Sequence, residues 1–92
     1  MRESQVESHF VTSVEAAGGL SRKVRWLCRR GCPDRYAVFP GGRYCFVELK
    51  APGQPLKDHQ AREIRKLKAM GVRVVCLDSI EAVDAWVREM TE

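Results

Sequence analysis

The sequence predicts an α/β fold in which helices flank a mixed β-sheet, with the element order αβββαβα. Apolar residues recur at helical spacing over residues 3–17 and stop at a Gly-Gly pair. Two alternating segments flank a Pro-Gly-Gly-Arg turn at residues 40–43, which indicates an antiparallel hairpin. The order strand, helix, strand over residues 44–77 requires a right-handed crossover, so the last strand is expected to run parallel to its partner.

Length and composition indicate a single domain over residues 1–92. The chain has 92 residues, of which 45% are apolar, enough for one core but not for two. No apolar signal stretch opens the chain, and no apolar run approaches the length of a membrane span. We therefore expect an intracellular, cytoplasmic protein.

The first helix is predicted over residues 3–17 and carries two glutamates. Val6, Phe10 and Val14 form its apolar stripe. Glu7 borders this stripe, and Glu3 lies one turn before it. One end of the stripe is expected to lean over the sheet.

Three strands are predicted to follow. The first covers residues 21–28, where side chains alternate in character, and a turn over residues 29–33 leads to the second strand at residues 34–39. The third strand covers residues 44–49. Because the connecting turn is short, Asp34 at the start of one strand should lie beside Glu48 at the end of the other.

The second half of the chain predicts a crossover helix, a buried strand and a last helix. The crossover helix is expected over residues 57–70, with Gln60 facing inward. Residues 72–77 form a continuous apolar run, typical of a strand covered on both faces. The last helix is expected to begin near Asp78 or Ser79 and to run to about Met90.

This geometry brings chemically active groups together. Glu48 and Lys50 are two residues apart on a strand and so leave the sheet on the same face, close to Asp34. Two carboxylates suit Mg²⁺ or Mn²⁺, and a nearby lysine can orient a water or offset charge on a phosphate. A bare Glu-x-Lys pair is also common on exposed hairpins, so the surrounding residues decide between the two interpretations.

Several of these neighbours follow a known pattern. Gly-x-Pro-Asp-Arg at residues 31–35, Pro-Gly-Gly-Arg at 40–43, Phe-Val-Glu-Leu-Lys-Ala-Pro-Gly at 46–53 and Gln60 resemble the stand-alone VRR-NUC domains, the virus-type replication and repair nucleases. These belong to the PD-(D/E)XK superfamily, whose signature the spacing P-D-x(13)-E-L-K fits. The resemblance runs from about residue 3 to residue 87 and implies a restriction-endonuclease-like αβββαβ(α) core.

The resemblance also implies roles for individual residues. The first helix of the family supplies a glutamate, for which Glu7 is the first choice and Glu3 the reserve. Lysine as a water-positioning group and glutamine as its support complete the family's site. The implied catalytic residues are Glu7, Asp34, Glu48, Lys50 and Gln60, and the implied ligands of Mg²⁺ or Mn²⁺ are Asp34, Glu48, the backbone carbonyl of Leu49 and Glu7.

A basic segment points to a polyanion as partner. Net charge is +4, and residues 22–43 hold seven basic residues against the single acid Asp34. The stand-alone members of the family act on branched DNA as dimers and occur largely in phages and prophages, so the resemblance implies a homodimeric, Holliday-junction-resolvase-like endonuclease of a bacterium or a phage-infected host cell. An apolar face on the last helix or the strand edge is expected to form the dimer contact, with Trp26 and Trp86 as candidates for partial burial. The expected DNA-binding residues are Lys23, Arg25, Arg29, Arg30, Arg35, Lys57 and Arg62.

Two alternative functions remain open at the level of sequence. The first is a DNA-binding accessory module that kept the fold and lost the activity, although every motif position is filled. The second is an RNA-directed nuclease with the same site, because charge does not distinguish the two sugars.

Overall fold

The computed structural model describes all 92 residues and has the predicted α/β architecture. Three helices and four strands follow one another in the predicted order αβββαβα. No helix combines the length and the apolar character needed to cross a bilayer. The elements are α1 (Glu3–Ala16), β1 (Leu20–Lys23), β2 (Arg35–Phe39), β3 (Arg43–Leu49), α2 (Asp58–Ala69), β4 (Val74–Leu77) and α3 (Ile80–Thr91).

The four strands form one mixed sheet in the order β1-β2-β3-β4. β1, β2 and β3 are antiparallel neighbours, and β3 pairs with β4 in parallel, as the crossover through α2 requires. In this register Arg35 lies opposite Val47 and Glu48 lies opposite Cys76. The start of β2 and the end of β3 therefore lie side by side at the same end of the sheet.

The first strand is shorter than its alternating sequence predicts. It was expected over residues 21–28 but ends at Lys23. Beyond this point one further backbone bond is made to the segment that precedes β2, from the N–H of Val24 to the carbonyl of Asp34 at 2.9 Å. The next residue on that segment is Pro33, which has no N–H to continue the ladder. Residues 24–34 consequently form a long connection beside the site.

One face of the sheet carries the main core. Helices α1 and α3 pack on it, and Phe10 and Phe39 place their rings 5.5 and 5.7 Å from that of Trp86. Trp86 is only 5% exposed. The expectation that Trp86 is partly buried at a dimer contact was wrong, because α3 turns this ring into the core.

The opposite face is covered by α2 alone. Glu48 lies on this face and is contacted by α2, whereas Cys76, its neighbour on the edge strand β4, is exposed. The prediction of a last strand covered on both faces was therefore wrong at Cys76. Glu48 and Lys50 nevertheless stay buried on this face.

Candidate functional site

The two predicted carboxylates are joined through the backbone of the hairpin. The N–H of Asp34 donates to Glu48 Oε1 at 3.2 Å, and the N–H of Leu49 donates to Asp34 Oδ2 at 2.9 Å. The remaining oxygen, Asp34 Oδ1, accepts no hydrogen bond from the protein. The strand register thus places Asp34 and Glu48 side by side, as the short hairpin turn predicts.

Lys50 and Gln60 both approach the second oxygen of Glu48. Lys50 Nζ lies 3.7 Å from Glu48 Oε2, and Gln60 Nε2 donates to the same oxygen at 2.8 Å. Gln60 was expected to support Lys50, but its amide N–H donates to Glu48, and its oxygen, the end of the amide that could accept from an ammonium, has another donor. The other end of the amide, Gln60 Oε1, accepts from the N–H of Lys57 at 2.9 Å at the start of α2, so its orientation is fixed.

Burial makes the charge of Glu48 costly. Glu48 is 1% exposed and Lys50 6%. Burial and, next in size, the neighbouring charge of Asp34 raise the pKa of Glu48 from 4.5 to about 7, although Lys50 acts in the opposite direction. One lysine therefore does not balance two carboxylates, and a further cation would stabilise the ionised pair.

An acidic cavity of about 250 Å³ lies next to this pair. Helix α1 contributes both Glu3 and Glu7 to its wall, because residues four apart share one helix face. Asp34 and Lys23 also line this cavity. Both candidates for the acid of the first helix are thus at the site.

Glu7 has a partner within the protein. Arg35 Nε donates to Glu7 Oε2 at 2.8 Å, and Arg35 Nη1 reaches Ser21 Oγ at 3.4 Å. The side chain of Arg35, expected to contact DNA, is only 14% exposed in this arrangement. No group of three or more His, Cys, Asp or Glu side chains has metal-binding geometry, and Asp34 and Glu48 are the two acids that the hairpin holds side by side.

The remaining basic residues lie in different places. Lys23 faces the acidic cavity, while Arg25 and Lys57 are exposed. Arg29, Arg30 and Arg62 line a separate cavity of about 350 Å³, together with His59 and Lys66, which the sequence reasoning missed. The signal was present in the sequence, because residues 59, 62 and 66 follow the spacing of one helix face.

A mixed sheet in which Pro-Asp stands at the start of one hairpin strand and Glu-Leu-Lys at the end of the other is the arrangement of the PD-(D/E)XK class of nuclease domains. The model of the VRR-NUC domain matches residues 3–81, and the chain belongs to this family. It is 43% identical over 79 residues to the protein named "Putative nuclease p44" of Acyrthosiphon pisum secondary endosymbiont phage 1, covering 86% of this chain and 85% of the relative. A solved VRR_NUC domain superposes with a TM-score of 0.87 at 32% identity over 94% of each chain. The protein is thus a nuclease domain.

Proposed function

We propose that this nuclease is an endonuclease that hydrolyses phosphodiester bonds in DNA with the help of Mg²⁺ or Mn²⁺. The observation that carries the proposal is the pairing of Asp34 with Glu48 through two backbone hydrogen bonds, with Lys50 beside them. This arrangement brings carboxylate oxygens, which are hard metal ligands, and the ammonium of Lys50 together in one place.

The donor set fits a divalent cation. Asp34 has a free carboxylate oxygen, Glu48 is a buried acid short of compensating charge, and the backbone carbonyl of Leu49 is the third oxygen of the proposed set. Oxygen ligands are those that Mg²⁺ and Mn²⁺ prefer. When bound, such an ion polarises a phosphodiester and lowers the pKa of a water that attacks it.

The protein residues then have distinct tasks. Lys50, held near Glu48, orients the attacking water and offsets the negative charge that develops on the phosphate. Gln60 fixes the carboxylate of Glu48 from the side of α2. Glu7, held by Arg35 at the wall of the acidic cavity, extends the donor set when the cavity is loaded.

The proposed substrate is branched DNA, cut by a homodimer. One small domain carries one site, so the paired cleavage of two strands at a junction needs two copies related by a two-fold axis. The support for this proposal is the resemblance of the sequence motifs to the stand-alone VRR-NUC domains, with the match to the family over residues 3–81. Sequence-independent recognition fits arginines and lysines that can contact phosphates, because phosphate contacts position a duplex without reading its bases.

A cleavage assay tests the proposal. A four-way junction, a flap and a linear duplex are incubated with the protein and with Mg²⁺, Mn²⁺ or chelator, and we expect ion-dependent cleavage of the junction. Lys50→Ala should lower the rate by about 10²-fold or more, since its cation acts on the transition state. Lys68→Ala, which removes an exposed lysine on α2, is the matched control.

Two results would contradict the chemistry of the proposal, and a third would contradict only the dimer. Tight junction binding without cleavage under any ion would favour the alternative of an inactive DNA-binding module. In calorimetry, divalent-ion binding that survives Asp34→Ala unchanged would place the ion elsewhere. Sedimentation of the active protein as a monomer on the junction would remove the dimer from the proposal and leave the chemistry intact.

A further inference from the structure

A basic groove lies next to the candidate active site on α2. It encloses about 350 Å³ between this helix and the connection that follows β1. Its side chains are His59, Arg62, Glu63 and Lys66 from the helix and Arg29 and Arg30 from the connection.

The groove begins where the active site ends. Gln60, which holds Glu48, is the immediate neighbour of His59 in the first turn of α2. The groove residues of the helix occupy positions 59, 62, 63 and 66, which form a single face. Gln60 also lies three positions before Glu63, which lines the groove, so the site and the groove adjoin on α2 and a strand bound at one lies beside the other.

The opposite wall of the groove is held in place. Gly31 has φ +91°, and a Cβ at this position would lie 2.7 Å from the carbonyl oxygen of His59. Arg29 donates to both oxygens of Glu63, at 3.1 and 3.4 Å, and Glu63 is 8% exposed. The connection that carries Arg30 is thus fixed against α2 before any ligand arrives.

Charge in the groove is not balanced. Glu63 is neutralised by Arg29, which leaves Arg30, Arg62 and Lys66 without an acidic partner. Arg30 Nη2 lies 3.5 Å from His59 Nδ1, and partial burial together with Arg30 and other nearby cations lowers the pKa of His59. Cations that share one cavity repel each other, and an anion would relieve that repulsion.

We infer that this groove binds the sugar–phosphate backbone of the DNA substrate next to the cleavage site. The inference rests on the proposed function and deepens it by separating a backbone-binding subsite from the catalytic one. Positions 59 to 66 are seven helical steps and span roughly 10 Å, well above the rise of about 3.4 Å per nucleotide of one DNA strand, so the groove has room for two successive phosphates. Arg30, Arg62 and Lys66 make these contacts, whereas Arg29 builds the wall through Glu63.

The test uses binding rather than cleavage. Fluorescence anisotropy of a labelled four-way junction in chelator, over 50–200 mM salt, compares Arg62→Ala/Lys66→Ala with Arg65→Ala/Lys68→Ala. Both double variants remove two exposed cations from α2, but only the first pair lines the groove. In the groove variant the plot of log K against log salt should be less steep than in the wild type by about 2. The loss of affinity relative to the wild type should therefore be roughly tenfold smaller at 200 mM salt than at 50 mM.

The outcomes separate this inference from the proposed function. Equal slope changes in both double variants, or no change in the groove variant, would overturn the subsite even if the protein cleaves junctions. A groove-specific change in a protein that never cleaves would support the subsite and refute the catalytic proposal. Equally strong, groove-dependent binding of polyglutamate would overturn the inference in favour of an acidic protein partner.

Discussion

Protonation of Glu48 should control the stability of the metal-free protein between pH 4.5 and 7. Its pKa is raised from 4.5 to about 7, chiefly by burial and then by the charge of Asp34. In this pH range the folded protein holds a proton that the unfolded chain has released. The contribution to stability is therefore complete below pH 4.5 and is lost as the pH rises to about 7.

The size of the effect follows from the shift. A difference of about 2.5 pH units between 4.5 and 7 corresponds to roughly 3 kcal/mol, at 1.36 kcal/mol per unit. Since Glu48 is 1% exposed, solvent does little to reduce this value. A Glu48→Gln variant cannot ionise, so the wild-type protein should lose about 3 kcal/mol relative to it across the interval.

The assay is urea unfolding in chelator at a series of pH values, followed by tryptophan fluorescence, for the wild type and Glu48→Gln. Comparing the change with pH removes any constant offset that the amide introduces. Asp34→Asn serves as a second variant, because the loss of its charge should lower the pKa of Glu48 and move the transition to lower pH. Parallel curves for wild type and Glu48→Gln from pH 4.5 to 7 would refute this account.

Three further perturbations test the supports of the site. Gly31→Ala and Gly53→Ala both place a Cβ at a residue with positive φ, but only the Cβ at residue 31 would meet the backbone of α2. In thermal unfolding we expect Gly31→Ala to cost more stability than the roughly 1 kcal/mol expected for Gly53→Ala. Equal losses would contradict the close packing. Arg29→Ala should cost about 1 kcal/mol by leaving Glu63 without its partner, and adding Glu63→Gln should recover part of it unless the pair is unimportant. Gln60→Ala should weaken divalent-ion binding about 10- to 100-fold in calorimetry, since a ligand loses its orienting bond; unchanged affinity would remove that role.

The central part of the site could be predicted from the sequence because it depends on local geometry. A short turn fixes which residues of two strands meet, and strand alternation decides that Glu48 and Lys50 share a face. Asp34 is placed by the same register. These relations need no knowledge of the rest of the fold, so they hold although the length of β1 and the coverage of the last strand were predicted wrongly.

Partners that are remote in sequence could not be predicted in the same way. Arg35 reaches Glu7 across 28 positions and Arg29 reaches Glu63 across 34, although both arginines were expected to contact DNA. Composition shows that a segment is basic, but the packing of helices against the sheet decides which cations are paired. The exposure of Cys76 has the same origin, because only the arrangement of α2 leaves that edge uncovered.

The bonds around Glu48 bear on how such a domain changes over evolutionary time. The carboxylate of Glu48 accepts from the backbone N–H of Asp34 and from the side chain of Gln60 on α2, so it links β3 to the residue before β2 and to the helix. Loss of the side chain, as in Glu48→Ala, would loosen α2 from the sheet, whereas Glu48→Gln keeps an acceptor oxygen and removes the buried charge. A lineage that no longer needs the ionised acid is therefore expected to exchange it for the amide before it discards the side chain.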